Sequence, residues 1–194
     1  GMSAGMEATV FLAALAFVWP FIGALVVAAL PAPHSREVAI WMAAIGCGLA
    51  VVVFMFPSVG NGASGWDDDP VQRAGRVMLA FGLLLLVLEN GIQPDRLLRS
   101  LPHVCTALAG LACVAPQPAV GLGILELALA WGVFVFTRPA GQAKTGWGLI
   151  RTGSVGTVLV LSGLLLPQGS TGSGLMMACG LVFLTGLAPV GQFW

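Results

Sequence analysis

Seven apolar stretches, separated by short polar or proline-containing breaks, follow one another along the chain. They cover residues 9–30, 37–57, 74–92, 99–116, 118–137, 149–167 and 173–191. Each is close to the roughly 20 residues that an α-helix needs to cross a bilayer. Unpaired backbone groups are very unfavourable in lipid, so these stretches are expected to be helical. The pattern predicts an all-α membrane protein: one transmembrane domain over residues 1–194, built as a bundle of about seven transmembrane helices.

The basic residues are distributed unevenly over the breaks between these stretches. One side of the predicted bundle holds Arg36, Arg96, Arg99, Arg138, Lys144 and Arg151, and the other holds Arg73 and Arg76. Lysine and arginine are enriched in cytoplasmic loops. The asymmetry therefore predicts an N-terminus outside and, after seven crossings, a cytoplasmic C-terminus.

The composition agrees with a protein whose solvent is the lipid bilayer. Hydrophobic residues make up 58% of the chain and charged residues only 8%, against about 25% charged residues in soluble domains. The formal net charge of +0 provides no basic surface for nucleic acid, so no nucleic-acid partner is expected. We expect an integral membrane protein of the bacterial inner (cytoplasmic) membrane.

Metal and cofactor motifs are not apparent in the sequence. The four cysteines form no CxxC pair, and none joins a histidine at zinc-ligand spacing. Asp67, Asp68 and Asp69 lack the spacing of a calcium-binding loop, which favours a solvated acidic loop. We therefore predict no cofactor and no metal, and expect no catalytic activity from this chain by itself. A site for quinone, lipid or pigment is left open.

Glu126 is the most informative residue, because it lies near the middle of the apolar stretch 118–137. Carboxylates at that depth are costly and usually face a protein interior or a wet cavity. Arg151 opens the next stretch and is predicted to act as an electrostatic partner for a proton-handling Glu126. The alternative is that Glu126 is a protonated, hydrogen-bonded contact between two helices.

Three further residues are candidates for a proton relay or for interfacial pairing. Glu89 ends the third stretch and is predicted to form an interfacial salt bridge, for which Lys144 is one candidate partner. His103 follows Pro102 near the start of the fourth stretch. A lone histidine near a membrane interface is more often a structural, hydrogen-bonded residue than a relay, and both interpretations remain open for His103.

Three segments carry a resemblance to a known family. Residues 121–129 (GLGILELAL), 143–154 (AKTGWGLIRTGS) and 186–194 (GLAPVGQFW) resemble the fifth, sixth and seventh helices of the antiporter-like membrane subunits of respiratory complex I. That family is shared with Mrp-type sodium/proton antiporters and membrane-bound hydrogenases, and the resemblance covers its N-terminal half. It implies that Glu126 is the proton-handling carboxylate and that Arg151 matches the family's arginine.

The chain departs from that family at two positions that matter for pumping. The family's lysine before the seventh-helix proline has no counterpart in residues 182–186, and Ser154 replaces its aspartate. The resemblance implies an antiporter-like subunit of a larger ion-translocating or redox-linked complex, with other membrane subunits as partners. The alternatives are a structural subunit that does not pump and an independent small membrane transporter. Whether a soluble arm is attached is left open.

Overall fold

The computed structural model describes residues 4–56, 70–89, 91, 94–115, 117–138, 143–167 and 169–184. These residues form seven α-helices and no β-strand. The helices are α1 (Ala4–Ala29), α2 (Ala32–Met55), α3 (Pro70–Glu89), α4 (Arg96–Cys113), α5 (Pro118–Thr137), α6 (Ala143–Leu165) and α7 (Thr171–Leu184).

Each predicted apolar stretch overlaps one helix, and the predicted all-helical class is confirmed over the described residues. The fifth stretch, 118–137, coincides with α5, whereas the other helices begin two to six residues before their stretches. Four segments within α1, α2, α5 and α6 are long and apolar enough to cross a membrane, and α7 is a shorter apolar helix. These helices support a membrane location. Seven crossings and the orientation of the termini stay predictions.

Local features mark the starts of α4 and α5 and the turn before α7. Asp95 precedes α4, and its Oδ1 accepts a hydrogen bond of 2.8 Å from the Leu97 backbone N–H, which satisfies one of the open donors of the first turn. Pro118 occupies the first turn of α5, where proline loses no helical hydrogen bond. Gly169 has φ of 84° and turns the chain between α6 and α7, a conformation that glycine adopts without steric cost.

The helices form two compact units. The first unit, Gly1–Val114, contains α1 to α4. In it α1 packs against α2 and α4, and α3 packs against the same two helices, so the four helices close into a ring. Its buried core comprises Val27, Ala39, Ala43, Leu83 and Val87.

The second unit, Ala115–Trp194, contains α5 to α7, with α6 packed against both of the others. Its helices approach through glycines. Gly180 of α7 lies against the backbone of Gly156 and Val160 in α6. The Ser173 hydroxyl of α7 donates a 2.7 Å hydrogen bond to the Gly163 carbonyl of α6. Small residues of this kind let membrane helices approach closely.

Candidate functional site

Glu126 lies at the contact between α5 and α6. It is the ninth residue of the 20-residue helix α5, which at 1.5 Å per residue spans about 30 Å, so the carboxylate is close to the helix midpoint. Its side chain is half-buried. The Thr157 hydroxyl of α6 donates a hydrogen bond to Glu126 Oε1. The predicted intramembrane carboxylate thus has a polar partner on the neighbouring helix.

The local packing explains why this hydroxyl reaches this carboxylate. Gly153 stands one turn before Thr157 on α6, and the Leu129 side chain of α5 packs directly over it. Gly146, two turns earlier, is covered in the same way by Thr137. The three α6 residues share one face of the helix, because residues four and seven apart lie close together around its axis.

The Thr157 hydroxyl has a second acceptor, the Gly153 carbonyl of its own helix, at 2.9 Å. A threonine hydroxyl has one proton to donate and two lone pairs that accept. It can therefore donate to an ionised Glu126, or turn to the Gly153 carbonyl and accept a proton from a neutral Glu126. The arrangement provides hydrogen bonding for both protonation states of the carboxyl group.

The predicted partner Arg151 is exposed and lies six residues before Thr157 on α6, a rise of about 9 Å. It stands two residues before Gly153, which at about 100° per residue places it on the opposite side of α6 from the face that packs on α5. Lys144 is exposed in the first turn of the same helix. The predicted roles of both residues stay predictions.

His103 lies in the first unit, on α4, with only 1% of its surface exposed. Its ring packs against Gly23 of α1, where a Cβ added to the glycine would stand 2.6 Å from His103 Cδ2. Both ring nitrogens are buried, and neither has a hydrogen-bond partner among the described residues. One of the two interpretations left open by the sequence was a structural histidine held by hydrogen bonds. No described residue of the protein supplies such a hydrogen bond to His103.

Glu89, the other carboxylate considered for pairing, is exposed at the end of α3 in the first unit. Near it, Arg36 Nη2 donates to the carbonyl oxygen of Leu88 at 3.5 Å. Arg99 Nη1 donates to the buried Ser35 Oγ at 3.1 Å. These contacts tie the starts of α2 and α4 and the end of α3 together.

Two polar residues of these sites were not predicted from the sequence. Thr157 was missed, although its spacing from Gly153 and Gly146 places it on a small-residue face of α6. No feature of the sequence marked Ser35, because it lies in the polar break that follows Pro31 and Pro33. Within the described ranges, no three histidine, cysteine, aspartate or glutamate side chains are grouped so as to hold a metal ion.

No family model, no curated protein and no solved structure matches this chain. The resemblance to antiporter-like subunits therefore stays a prediction from the sequence segments that carry it. The geometry of Glu126 and Thr157 is the structural observation on which a functional proposal can stand.

Proposed function

We propose that this chain is an antiporter-like integral membrane subunit of a larger ion-translocating or redox-linked complex, in which Glu126 handles protons. The observation that carries the proposal is the half-buried Glu126 at the midpoint of an apolar helix, bonded to the Thr157 hydroxyl of α6. Intramembrane carboxylates that face a neighbouring helix mark ion and proton pathways.

The chemistry follows from the two acceptors of Thr157. When Glu126 is ionised, the hydroxyl donates to the carboxylate; when Glu126 is protonated, the hydroxyl donates to Gly153 instead. Each state has its hydrogen bonds, so neither incurs the full penalty of an unsatisfied polar group in an apolar setting. A carboxyl group supported in both states can take up a proton and release it repeatedly.

Proton flux through the reconstituted chain tests the proposal. The full chain, together with any membrane subunits that copurify with it, is placed in liposomes containing a pH-sensitive dye, and a potassium diffusion potential drives proton entry. We expect Glu126→Gln to lower the flux at least tenfold, because the amide cannot carry the proton. Thr157→Val is expected to lower it less, since the carboxyl group remains.

The matched control is Glu37→Gln, the same chemical change at an exposed carboxylate near the start of α2. It is expected to leave the flux within twofold of the unmodified protein. A flux that Glu126→Gln leaves intact in correctly assembled protein would rule out Glu126 as the proton carrier.

A structural subunit that does not pump is the second candidate, and Ser154 favours it. This residue replaces the aspartate of the resembling family, and its hydroxyl donates a 2.7 Å hydrogen bond to the Ile150 carbonyl of its own helix. In that case Glu126 and Thr157 serve only to hold α5 against α6. Assembly that depends on Glu126 without any proton flux would favour this candidate.

Purification from native membranes in mild detergent, followed by mass spectrometry, tests the proposed partners. In the proposal the chain lies in a bacterial cytoplasmic membrane with its N-terminus outside, beside redox, hydrogenase or other antiporter-like subunits. Recovery with such subunits supports the proposal. Recovery of the chain alone would favour an independent small transporter.

A further inference from the structure

A small cavity, the end cavity, lies at one end of the first unit, where α1 and α3 end and α2 and α4 begin. Val27 of α1, Ala39 of α2 and Val87 of α3 form a buried apolar part of its wall. Its volume is about 40 Å³, enough for a group of a few atoms and too small for an acyl chain. A ligand of the end cavity is therefore a compact group.

The polar groups of this wall, among the described residues, belong to Ser35 and Arg36 of α2 and Arg99 of α4. Ser35 is 2% exposed, and its Oγ accepts a 3.1 Å hydrogen bond from Arg99 Nη1. The same hydroxyl donates to the Ala32 carbonyl at 2.8 Å, so its position is fixed by its own helix. The Nε atom of Arg99 is buried and has no hydrogen-bond partner among the described residues. Ser35 thus holds one arm of the Arg99 guanidinium and leaves a buried donor unsatisfied.

The charges around the end cavity favour an anion. No aspartate or glutamate is among the described residues that line it. Of the acidic residues nearby in sequence, Glu37 and Glu89 are exposed and Asp95 caps the first turn of α4. Arg36 is engaged by the carbonyl end of α3, so Arg99 is the cation on which the site depends. A buried, unsatisfied donor on a charged group is costly, and an anionic acceptor removes that cost.

The end cavity also lies at a defined depth. The candidate membrane span of α1 ends at Ala29 and that of α2 begins at Ala32. The cavity residues Val27 and Ser35 are two and three residues inside these ends, which is a rise of about 3–5 Å. In a bilayer, the ends of such spans lie at the boundary between the acyl chains and the head groups. Phosphate groups of lipids are therefore the anions within reach of Arg99.

We propose that the end cavity binds the phosphate group of an anionic phospholipid, with Arg99 as its main ligand and Ser35 as the residue that positions Arg99. Guanidinium groups bind phosphates through strong, paired hydrogen bonds, and basic pockets between membrane helices bind anionic head groups. The acyl chains stay outside, along exposed apolar residues of α3 such as Leu85 and Leu88. The site lies wholly in the first unit and does not depend on proton handling by Glu126.

The ligand side of the test uses the unmodified full chain in neutral detergent micelles. Dioleoyl phosphatidylglycerol, dioleoyl phosphatidylcholine and dioleoylglycerol are titrated, and the bound fraction is read by native mass spectrometry. We expect one phosphatidylglycerol per chain, bound about tenfold more tightly than dioleoylglycerol, which lacks the phosphate, or phosphatidylcholine, which carries a cation beside it. Binding of phosphatidylglycerol no tighter than either of the other two would overturn the proposal.

Inorganic phosphate offers the same chemistry from a second source, so it is titrated against the chain loaded with phosphatidylglycerol. We expect the lipid to stay bound, because its acyl chains add apolar contact that the free ion lacks. Displacement of the lipid by an equal concentration of inorganic phosphate would assign the end cavity to free phosphate and overturn the lipid proposal.

The protein side of the test changes the ligand and the residue that positions it. Arg99→Gln is expected to weaken phosphatidylglycerol binding about tenfold and Ser35→Ala about threefold, because each removes or loosens a charge-assisted hydrogen bond. The control for the first is Arg96→Gln, at an exposed arginine of α4 outside the described lining of the cavity. The control for the second is Ser100→Ala, at a buried serine that donates to a carbonyl of its own helix but holds no arginine. Both controls are expected to bind the lipid as the unmodified chain does.

Two outcomes with these variants would count against the site. Unchanged binding by both Arg99→Gln and Ser35→Ala would show that phosphatidylglycerol binds elsewhere. Equal losses in the variants and their controls would show a general effect of charge or packing in place of a site at Arg99. The comparison of the three lipids needs no substitution, so it stands even if a variant fails to fold.

Discussion

The two units of this protein hold their helices together in different ways. In the first unit, side chains reach across between helices: Trp19 Nε1 donates to the Met42 carbonyl at 2.8 Å, and the His103 ring fills the space beside Gly23. In the second unit, glycines bring the backbones themselves together, as at Gly156 and Gly180. A cavity lies between the four helices of the first unit.

The difference has a physical consequence for what each unit can do. Helices spaced by side chains tolerate a gap that a ligand can fill, because the side chains rather than the backbone set the distance. Helices in backbone contact, such as α6 and α7, have little such freedom. On the other face of α6, the α5 side chains Leu129 and Thr137 pack over Gly153 and Gly146, and Glu126 meets Thr157 there. We therefore assign the proposed proton site to the second unit.

The largest effect is expected from Gly180→Ala in the second unit. A Cβ at this position would stand 2.7 Å from the Gly156 carbonyl oxygen and 2.7 Å from the Val160 nitrogen, both backbone atoms that cannot move aside easily. Overpacking of this kind lowers the free energy of unfolding by about 1–3 kcal/mol. Unfolding in mixed micelles with increasing denaturing detergent measures the change.

The control is Gly174→Ala on the same helix, where an added Cβ meets nothing within 4 Å. Its free energy of unfolding is expected to stay equal or to rise by up to about 1 kcal/mol, because alanine favours helix over glycine. Equal losses at both positions would contradict the view that α6 and α7 are held by backbone contact.

A smaller effect of opposite sign is expected from His103→Phe in the first unit. The phenyl ring retains the packing against Gly23 and removes two buried nitrogens that have no partner among the described residues. Unsatisfied buried polar groups cost about 1–3 kcal/mol, so the free energy of unfolding is expected to rise by about 1 kcal/mol. The same unfolding measurement applies.

The matched control is His34→Phe, the same change at an exposed histidine of α2, with an expected change within about 0.5 kcal/mol. A loss of stability at His103 that exceeds this control would show that the imidazole nitrogens are bonded in the membrane, for instance to water. That result would favour the relay interpretation of His103.

The smallest effect concerns the bond between α5 and α6. A double-mutant cycle of Glu126→Leu and Thr157→Val is expected to give a coupling energy of about 0.6 kcal/mol, the average for polar contacts between membrane helices. The comparison cycle combines Glu126→Leu with Thr152→Val. The Thr152 hydroxyl donates a hydrogen bond to the Gly148 carbonyl of its own helix. Coupling there is expected to be within about 0.3–0.5 kcal/mol of zero. Equal coupling in the two cycles would remove the pairing on which the proton proposal rests.

Much of the secondary structure could be predicted from the sequence, because it depends on local information. In lipid, the backbone N–H and C=O groups of a run of about 20 apolar residues must form hydrogen bonds with one another. For a single segment, only a helix provides them. The stretch 118–137 matched α5 at both ends because prolines and a polar break bound it. Asp95 shows the limit: its cap extends α4 to Arg96, three residues before the apolar stretch that the sequence marked.

The candidate site could be predicted only in part. Glu126 was identifiable because a carboxylate in an apolar run is costly wherever the helix packs. The sequence predicted Arg151 as the electrostatic partner of Glu126, and that role stays a prediction. The sequence did not predict the Thr157 hydroxyl, which donates a hydrogen bond to Glu126. Which residue of a neighbouring helix meets a given side chain depends on the rotation and offset of both helices.

The sequence by itself determined that this chain is helical, suited to lipid, and marked by one carboxylate at the middle of an apolar helix. The tertiary structure alone decided which glycines meet across α6 and α7, which hydroxyl meets Glu126 and where a cavity remains beside Arg76. The reason is that backbone hydrogen bonding and hydrophobic length act along the chain. Packing between helices is the sum of many weak contacts between residues far apart in sequence.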